Sequence, residues 1–353
     1  MWFIALLFFV ATFATASNTN DTQCYTVSSG SQSYKGVSTL RIMQYNVEWL
    51  FLKTYNGCPG TSCSWPNLND ATAHLQKVAN VIRTFNPDIL NLCEVEGCYE
   101  LEQLNALLGG AYMPYLLFGT DTSTGQNVGI LTKYSPSVSL QRTSATHAYP
   151  VAGSHCNYTG SPGSSGVSKH YYTTYRFNNM TIYFVGAHLL AIPTEPSRCA
   201  SREAQASVLQ TLIVQLLGGI DPITRQVVAN NSIGLIVAGD MNDYDAEVED
   251  ANGSQPTSIV LDILKGNAGD YALAYELNSV AAQVDRSQRY TDWWDPNGDC
   301  VATDNEMSMI DHVLMTPNLM DLVQKVTIPH PYPEYCGTYD SDHYPILVDL
   351  VFA

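Results

Sequence analysis

Ile233-Gly234-Leu235-Ile236-Val237-Ala238-Gly239-Asp240-Met241-Asn242 decides how this chain is read. Ile233 to Ala238 is wholly apolar and short, which reads as a strand buried on both faces. The run ends in a glycine, a carboxylate and, two places on, a carboxamide. An isolated Asp or Asn at a strand end is ordinarily a cap. Here the pattern recurs along the chain. Leu40 to Val47 reads as a strand and carries Asn46 near its end. Ile89 to Cys93, short and buried, is followed by Glu94, and Thr181 to Ala187 runs into His188. Met309-Ile310 leads to Asp311, and Asp342-His343 precedes a last strand, Ile346 to Phe352. Strands laid side by side would bring these polar ends to one rim. Carboxylate oxygens suit Mg²⁺ or Mn²⁺, and an imidazole beside a carboxylate suits acid–base work.

Between the strands, the 3.6-residue period marks helices. Asn69-Asp70 is expected to cap one running to about Phe85, with Leu75, Val78, Ala79 and Ile82 on one face. Glu100 to Leu108, Ser201 to Leu217 and Ser258 to Leu264 read as three more. Tyr115 to Phe118, Val128 to Thr132 and Tyr171 to Phe177 read as further strands, the last joined to Thr181–His188 by a turn at Asn178-Asn179. Many short strands with helices between them indicate an α/β or α+β chain built on face-to-face sheets flanked by helices. The Gly/Ser-rich stretch Gly153 to Ser168 lies between strand-like segments, which suits a long surface loop within one domain.

The N-terminus has the pattern of an export signal. Trp2 to Phe13 is almost wholly apolar and Ala14-Thr15-Ala16 follows, so cleavage is expected before Ser17. The division expected is a signal peptide over 1–16, an extension over 17–38 and a single catalytic domain over 39–353. No later apolar run reaches spanning length, so no stable membrane insertion is expected after cleavage. An exported chain favours disulfides, and all 9 cysteines lie after the cleavage site. Cys58–Cys63 and Cys93–Cys98 could close local loops; Cys156–Cys199 and Cys300–Cys336 are further pairings open to the chain. The odd count leaves at least one thiol outside an internal pair. Sequons at Asn20, Asn157, Asn179, Asn230 and Asn252 are glycan acceptors in a secreted eukaryotic setting. Lys and Arg number 16 against 33 Asp and Glu, a formal charge of −17. Such a surface excludes holding a polyanion by a broad basic footprint. Divalent metal and a few local cations must hold any phosphate.

Six motifs point to a family: Leu40-Arg-Ile-Met-Gln-Tyr-Asn46-Val-Glu-Trp, Pro87-Asp-Ile-Leu-Asn-Leu-Cys-Glu94-Val, Gly186-Ala-His188-Leu, Gly239-Asp240-Met-Asn242-Asp, Met309-Ile-Asp311-His-Val-Leu and Ser341-Asp342-His343-Tyr-Pro345. Their order, each at a strand end from about residue 40 to the C-terminus, resembles the endonuclease/exonuclease/phosphatase superfamily, the fold of pancreatic-type deoxyribonuclease. The resemblance implies a four-layer sandwich, two packed and mainly antiparallel β-sheets flanked by helices. It implies that Glu94 is the main metal carboxylate, with Asn46 beside it and Asp342 as a second metal-side carboxylate. Asp240 and Asn242 would position the attacking water and the scissile phosphate. Asp311 and His343 would form an acid–base dyad, and His188 would contact phosphate or protonate the leaving oxygen. Lys169 and His170 open a strand where family nucleases place a phosphate-contacting base. The cofactor implied is Mg²⁺, with Mn²⁺ or Ca²⁺ as alternatives. Glu48, Glu96 and His312 adjoin motif residues, but strand alternation is taken to point them elsewhere. Asp121 is a candidate partner for a site histidine.

Substrate follows less directly. The Pro-x-Trp-x-Asp-Arg signature of inositol phosphatases is absent, and no extended apolar hairpin for docking on sphingomyelin is present. Tyr290-Thr-Asp-Trp293-Trp294-Asp295 lies where secreted nucleases of the superfamily carry an aromatic loop, and Arg202-Glu-Ala-Gln-Ala also resembles them. Trp293 is therefore a candidate for stacking on bases, with packing as its other reading. The expectation is a secreted phosphodiesterase acting on DNA or RNA, with no protein partner implied. The alternatives are a sphingomyelinase-like lipid phosphodiesterase or phosphatase, and an inactive binding protein on the same scaffold.

Overall fold

Ile233–Asp240 is a strand at the middle of a six-stranded sheet, and all but its first residue are buried. The computed structural model describes residues 23–27, 32–53, 64–119, 124–219, 230–295, 297–301, 303, 306–332 and 340–352. The expectations placed on the signal peptide, Asn20, Cys58, Cys63, Asp121 and Cys336 lie outside the described residues.

The sheet runs, edge to edge, Asn278–Ser279, Asp311–Met315, Ile233–Asp240, Met180–His188, His170–Phe177 and Val138–Gln141. A second sheet of seven strands runs Gln23–Cys24, Met113–Leu117, Asn127–Thr132, Ile89–Val95, Thr39–Leu50, Ile346–Val351 and Val323–Thr327. Each sheet is antiparallel apart from one central parallel pair. In the first it is Met180–His188 with Ile233–Asp240; in the second, Thr39–Leu50 with Ile89–Val95. Parallel strands end on the same side, so each pair delivers two strand ends to one rim.

The apolar residues sort into layers. Ile42, Ile89 and Val348 of the seven-stranded sheet meet Phe184, Ile236 and Val313 of the six-stranded sheet in a core between them. Met43, Tyr45, Leu90 and Leu92 point the other way, onto the helices Leu68–Phe85 and Cys98–Leu107. Val185, Leu235 and Val237 pack on Pro196–Leu216 and Val260–Lys265. The result is the four-layer sandwich expected.

Local details differ from the expectation. Leu68–Phe85 is capped by Asn67, whose side chain accepts from the amides of Asn69 and Asp70, two residues before the expected cap. The 153–168 stretch is not all loop, because Gly163–Gly166 pairs with Thr146–Tyr149. Cys93 does not pair with Cys98. It points into the core between the sheets as a buried free thiol, while Cys98 opens a helix and bonds Cys24. Cys156 bonds Cys199 as expected. No helix among the described residues is long and apolar enough to cross a membrane.

Candidate active site

The parallel pairing of the six-stranded sheet ends with His188 opposite Asp240. Across Asp240 the antiparallel neighbour begins at Asp311. In the seven-stranded sheet Asn46 lies opposite Cys93, one residue before Glu94. His343 precedes Ile346–Val351, whose start lies beside Gln44. Strands that end at the rim supply Asn46, Glu94, His188 and Asp240; a strand that begins there supplies Asp311, and the segment leading into Ile346–Val351 supplies His343.

The side chains interlock across the two sheets. Asn46 Nδ2 donates to Asp240 Oδ2 at 3.0 Å and to Glu94 Oε1 at 3.4 Å. His188 Nε2 lies 3.6 Å from the same Asp240 oxygen. Asp240 Oδ1 accepts the amide of Asn242, whose backbone sits at φ 52° and whose Nδ2 donates to the Leu189 carbonyl. Asp311 Oδ2 holds His343 Nδ1 at 2.7 Å. One ligand atom each from Asp240, Asp311 and His343 falls within a single 4.8 Å group.

Glu94 requires a backbone irregularity. Period-two alternation would send it with Leu90 and Leu92 to the helix side. Instead the pairing slips between Leu92 and Val95 and Glu94 takes φ 67°, turning its carboxylate to the rim. The partner strand slips between Asn46 and Leu50, with Glu48 at φ 44° and Trp49 at φ 50°, and the Trp49 amide donates to Glu94 Oε2.

Electrostatics follow from the crowding. Burial, then the neighbouring Asp311, pushes the Asp240 carboxyl well up. Burial alone would lower His343, but Asp311 and Asp342 carry it well above the ordinary histidine value. Burial, then Glu48, raises Asp342. Carboxylate oxygens gathered this closely favour a hard divalent cation, which would relieve the repulsion that Asp311 and Glu94 impose on Asp240.

Three expectations need correction. Trp293 is 1% exposed, packed in the core under the helices, with Nε1 donating to Glu306; it cannot stack on a base. Its neighbour Trp294 is 66% exposed. His170 is buried with both ring nitrogens engaged, by the Thr143 amide and the Val167 carbonyl, and burial lowers its pKa to about 4. It is a neutral structural residue, not a phosphate-contacting cation. Glu48 is not directed away: two residues past Asn46, alternation keeps it on the site's side, and its Oε2 accepts the Asp342 amide at 3.1 Å. Lys169 adjoins the site through its carbonyl, which accepts the His188 amide, and its Nζ donates to Gln126. Glu96 accepts the amides of Leu52 and Lys53, and His312 Nε2 meets the Asp243 carbonyl; both serve local structure.

Asp292 was missed. Its Oδ1 lies 3.6 Å from His343 Nε2, on the side where Asp342 Oδ1 lies at 3.8 Å. No repeated pattern marks it in the sequence. Gln44 was also missed, although Gln44, Asn46 and Glu48 form a polar series at every second position of an otherwise apolar strand. A separate carboxylate group, Asp295, Asp299 and Glu306, follows Trp294. Its oxygens accept the amides of Gly298, Cys300, Val301 and Thr303, and Asn297 donates to Glu306.

Buried oxygen ligands at the rim of a two-sheet sandwich, facing a His–Asp dyad, define a metal-dependent hydrolase of phosphoric esters. The model of the Endonuclease/Exonuclease/phosphatase family matches residues 43–343, and the chain belongs to that family. No curated protein sequence matches it. Among solved structures it is similar to an endonuclease/exonuclease/phosphatase from Bacteroides vulgatus, at 15% identity and TM-score 0.52, covering 90% of this chain and 100% of that one. It is similar to truncated Caenorhabditis elegans TDP2, at 16% identity and TM-score 0.51 over 91% of this chain and 100% of that one. D. rerio TDP2 complexed with single strand DNA product is similar at 16% identity and TM-score 0.50, over 89% of this chain and 100% of that one. At these identities the likeness concerns the fold.

Proposed function

We propose that the chain is a secreted Mg²⁺-dependent nuclease that cleaves phosphodiesters by water attack on phosphorus. The observation that carries the reading is the facing of two buried groups. The Asp311–His343 dyad closes at 2.7 Å, and Asn46 ties Glu94 to Asp240 across the sheets.

Glu94 and Asn46, with Asp342 and Glu48 near by, would hold the cation. When bound it supplies Lewis acidity and neutralises phosphate charge. Asp311 accepts from His343 Nδ1 and so presents Nε2 to the reacting phosphate, where it can hold or pass a proton. Asp240 and Asn242 orient the attacking water and a phosphate oxygen, and His188 stands on the other side of Asp240 to contact phosphate. The left-handed backbone at Asn242 brings its amide to Asp240 Oδ1, while its Nδ2 is anchored on the Leu189 carbonyl.

Nucleic acid is favoured over a lipid by Trp294. It is exposed and lies two residues along the chain from Asp292, the carboxylate that faces His343. An exposed indole offers a stacking surface that needs no positive charge, in a protein of formal charge −17. The D. rerio relative complexed with single strand DNA product makes DNA the first substrate to test. Export rests on the leader-like N-terminus and agrees with the disulfides Cys24–Cys98 and Cys156–Cys199.

The test is hydrolysis of DNA, RNA, sphingomyelin and a simple phosphomonoester with Mg²⁺, Mn²⁺ or Ca²⁺, with His343→Ala as control. Nucleic acid should be cleaved, and the variant should lose roughly 10²–10⁴-fold in kcat. Turnover of sphingomyelin alone would overturn the substrate assignment. Undiminished activity in the variant would overturn the site.

A further inference from the structure

The core between the sheets contains a polar string that apolar packing does not need. Tyr171 Oη donates to Asn91 Oδ1 at 2.7 Å, and Asn91 Nδ2 donates to Gln44 Oε1 at 2.5 Å. Gln44 Nε2 donates to Asp311 Oδ1 at 3.0 Å, and Asp311 Oδ2 holds His343. Tyr171, Asn91, Gln44 and Asp311 are all fully buried. Around them stand Ile42, Ile89, Phe184 and Ile236, the residues an ordinary sandwich core is made of.

The direction of the string is dictated by its end. An ionised carboxylate only accepts, so Gln44 must turn its amide nitrogen to Asp311. Its oxygen is then left for Asn91, whose nitrogen must face Gln44 and whose oxygen must face Tyr171. Tyr171 supplies the hydroxyl hydrogen that starts the series. Every donor points toward Asp311, and each member polarises the next. Buried amides are costly unless fully paired, and leucine at 44 and 91 would fill the same space.

Gly186 gives separate support. A Cβ there would stand 2.4 Å from Asn91 Oδ1 and 2.4 Å from the Tyr171 ring. The glycine sits opposite Tyr171 in the strand pairing, so the sheet leaves room at the one place where the string crosses it.

We infer that Gln44, held by Asn91 and Tyr171, is a positioning residue for the Asp311–His343 dyad. By taking Oδ1 it fixes the plane of the Asp311 carboxylate and reserves Oδ2 for His343 Nδ1. That sets the imidazole's tautomer and aims Nε2 at the site. The inference rests on the dyad proposed above.

The test is a double-mutant cycle. Gln44→Met keeps the volume and removes the donor. It should lower kcat about tenfold to hundredfold, the range for a hydrogen bond to a charged group. KM and the metal concentration for half-maximal activity should stay unchanged. In an Asp311→Ala background the same substitution should have no further effect on kcat. Tyr171→Phe, which removes one hydroxyl and leaves the packing, should give a smaller loss of about twofold to fivefold with the same dependence on Asp311. It serves as the measurement if Gln44→Met does not fold. Wild-type kcat in both variants would overturn the inference, as would an equal loss of kcat in the Asp311→Ala background. Full activity in Asp311→Ala itself would instead overturn the dyad, and the inference with it.

Discussion

The two central parallel pairs reach the same rim by different routes. In the six-stranded sheet, Met180–His188 and Ile233–Asp240 stay in register to the last residue, and His188 and Asp240 are the ends of that ladder. In the seven-stranded sheet, Thr39–Leu50 and Ile89–Val95 lose register just where their polar residues arrive, and three residues there take positive φ. The regular pair presents reacting-side groups fixed by the ladder itself. The irregular pair turns Glu94 out of its alternating position to the side where Glu48 already lies, as gathering ligands round an ion requires.

That division can be broken by exchanging losses. Asp240→Asn should cost the most, roughly 10²–10⁴-fold in kcat, and added metal should not restore it. Glu94→Gln should raise the metal concentration for half-maximal activity about 10–100-fold, with kcat largely recovered at saturation. Titrating Mg²⁺ against both variants checks the pair. Rescue of Asp240→Asn by metal, with none for Glu94→Gln, would reverse the roles of the two pairs.

Regularity has its own signature in stability. A Cβ on Gly239 would stand 1.8 Å from the Ala187 carbonyl oxygen, so the parallel ladder runs too close for a side chain. Gly239→Ala should lower stability by about 1–3 kcal/mol, seen as a lower melting temperature. An unchanged melting temperature would show that the ladder can spread, and the contrast between the pairs would weaken.

The same contrast explains what could be read from residues alone. Ile233 to Asn242 was legible because an unbroken apolar strand ran straight into its functional end. Glu94 was legible as the polar end of a strand and through motif resemblance, but not by alternation, which points it to the helices until a slip in register turns it back. Glu48 and Gln44 were legible by alternation and were overlooked: both share the parity of Asn46. Asp292 was not legible, because an isolated bridge to His343, not a strand run, sets it there. The Trp293–Trp294 choice depended on which face the core covers, and no period spans so short a segment. His170 looked cationic until burial and two hydrogen bonds made it neutral.

The smallest expected effect lies at the corners behind the two pairs, where buried acids are handled in opposite ways. Behind the regular pair, burial pushes Asp245 up, but Lys265 at 2.7 Å overrides it and holds the carboxyl below its usual range. Behind the irregular pair, burial and then Glu96 raise Glu100 from 4.5 to about 8. The signs therefore differ. A depressed acid contributes stability above its unfolded value and loses it as pH falls through the folded value. A raised acid contributes in full below its unfolded value and loses that contribution as pH rises through the folded one, here between about 4.5 and 8. Glu100→Gln keeps a neutral group at every pH, so it should match the wild type at about pH 4 and exceed it by at least about 1 kcal/mol at pH 8.5. Denaturant unfolding at the two pH values measures the difference. Parallel curves for the two proteins would mean that Glu100 is ionised in the folded chain, and that the corner behind the irregular pair takes in water or a cation to hold it so.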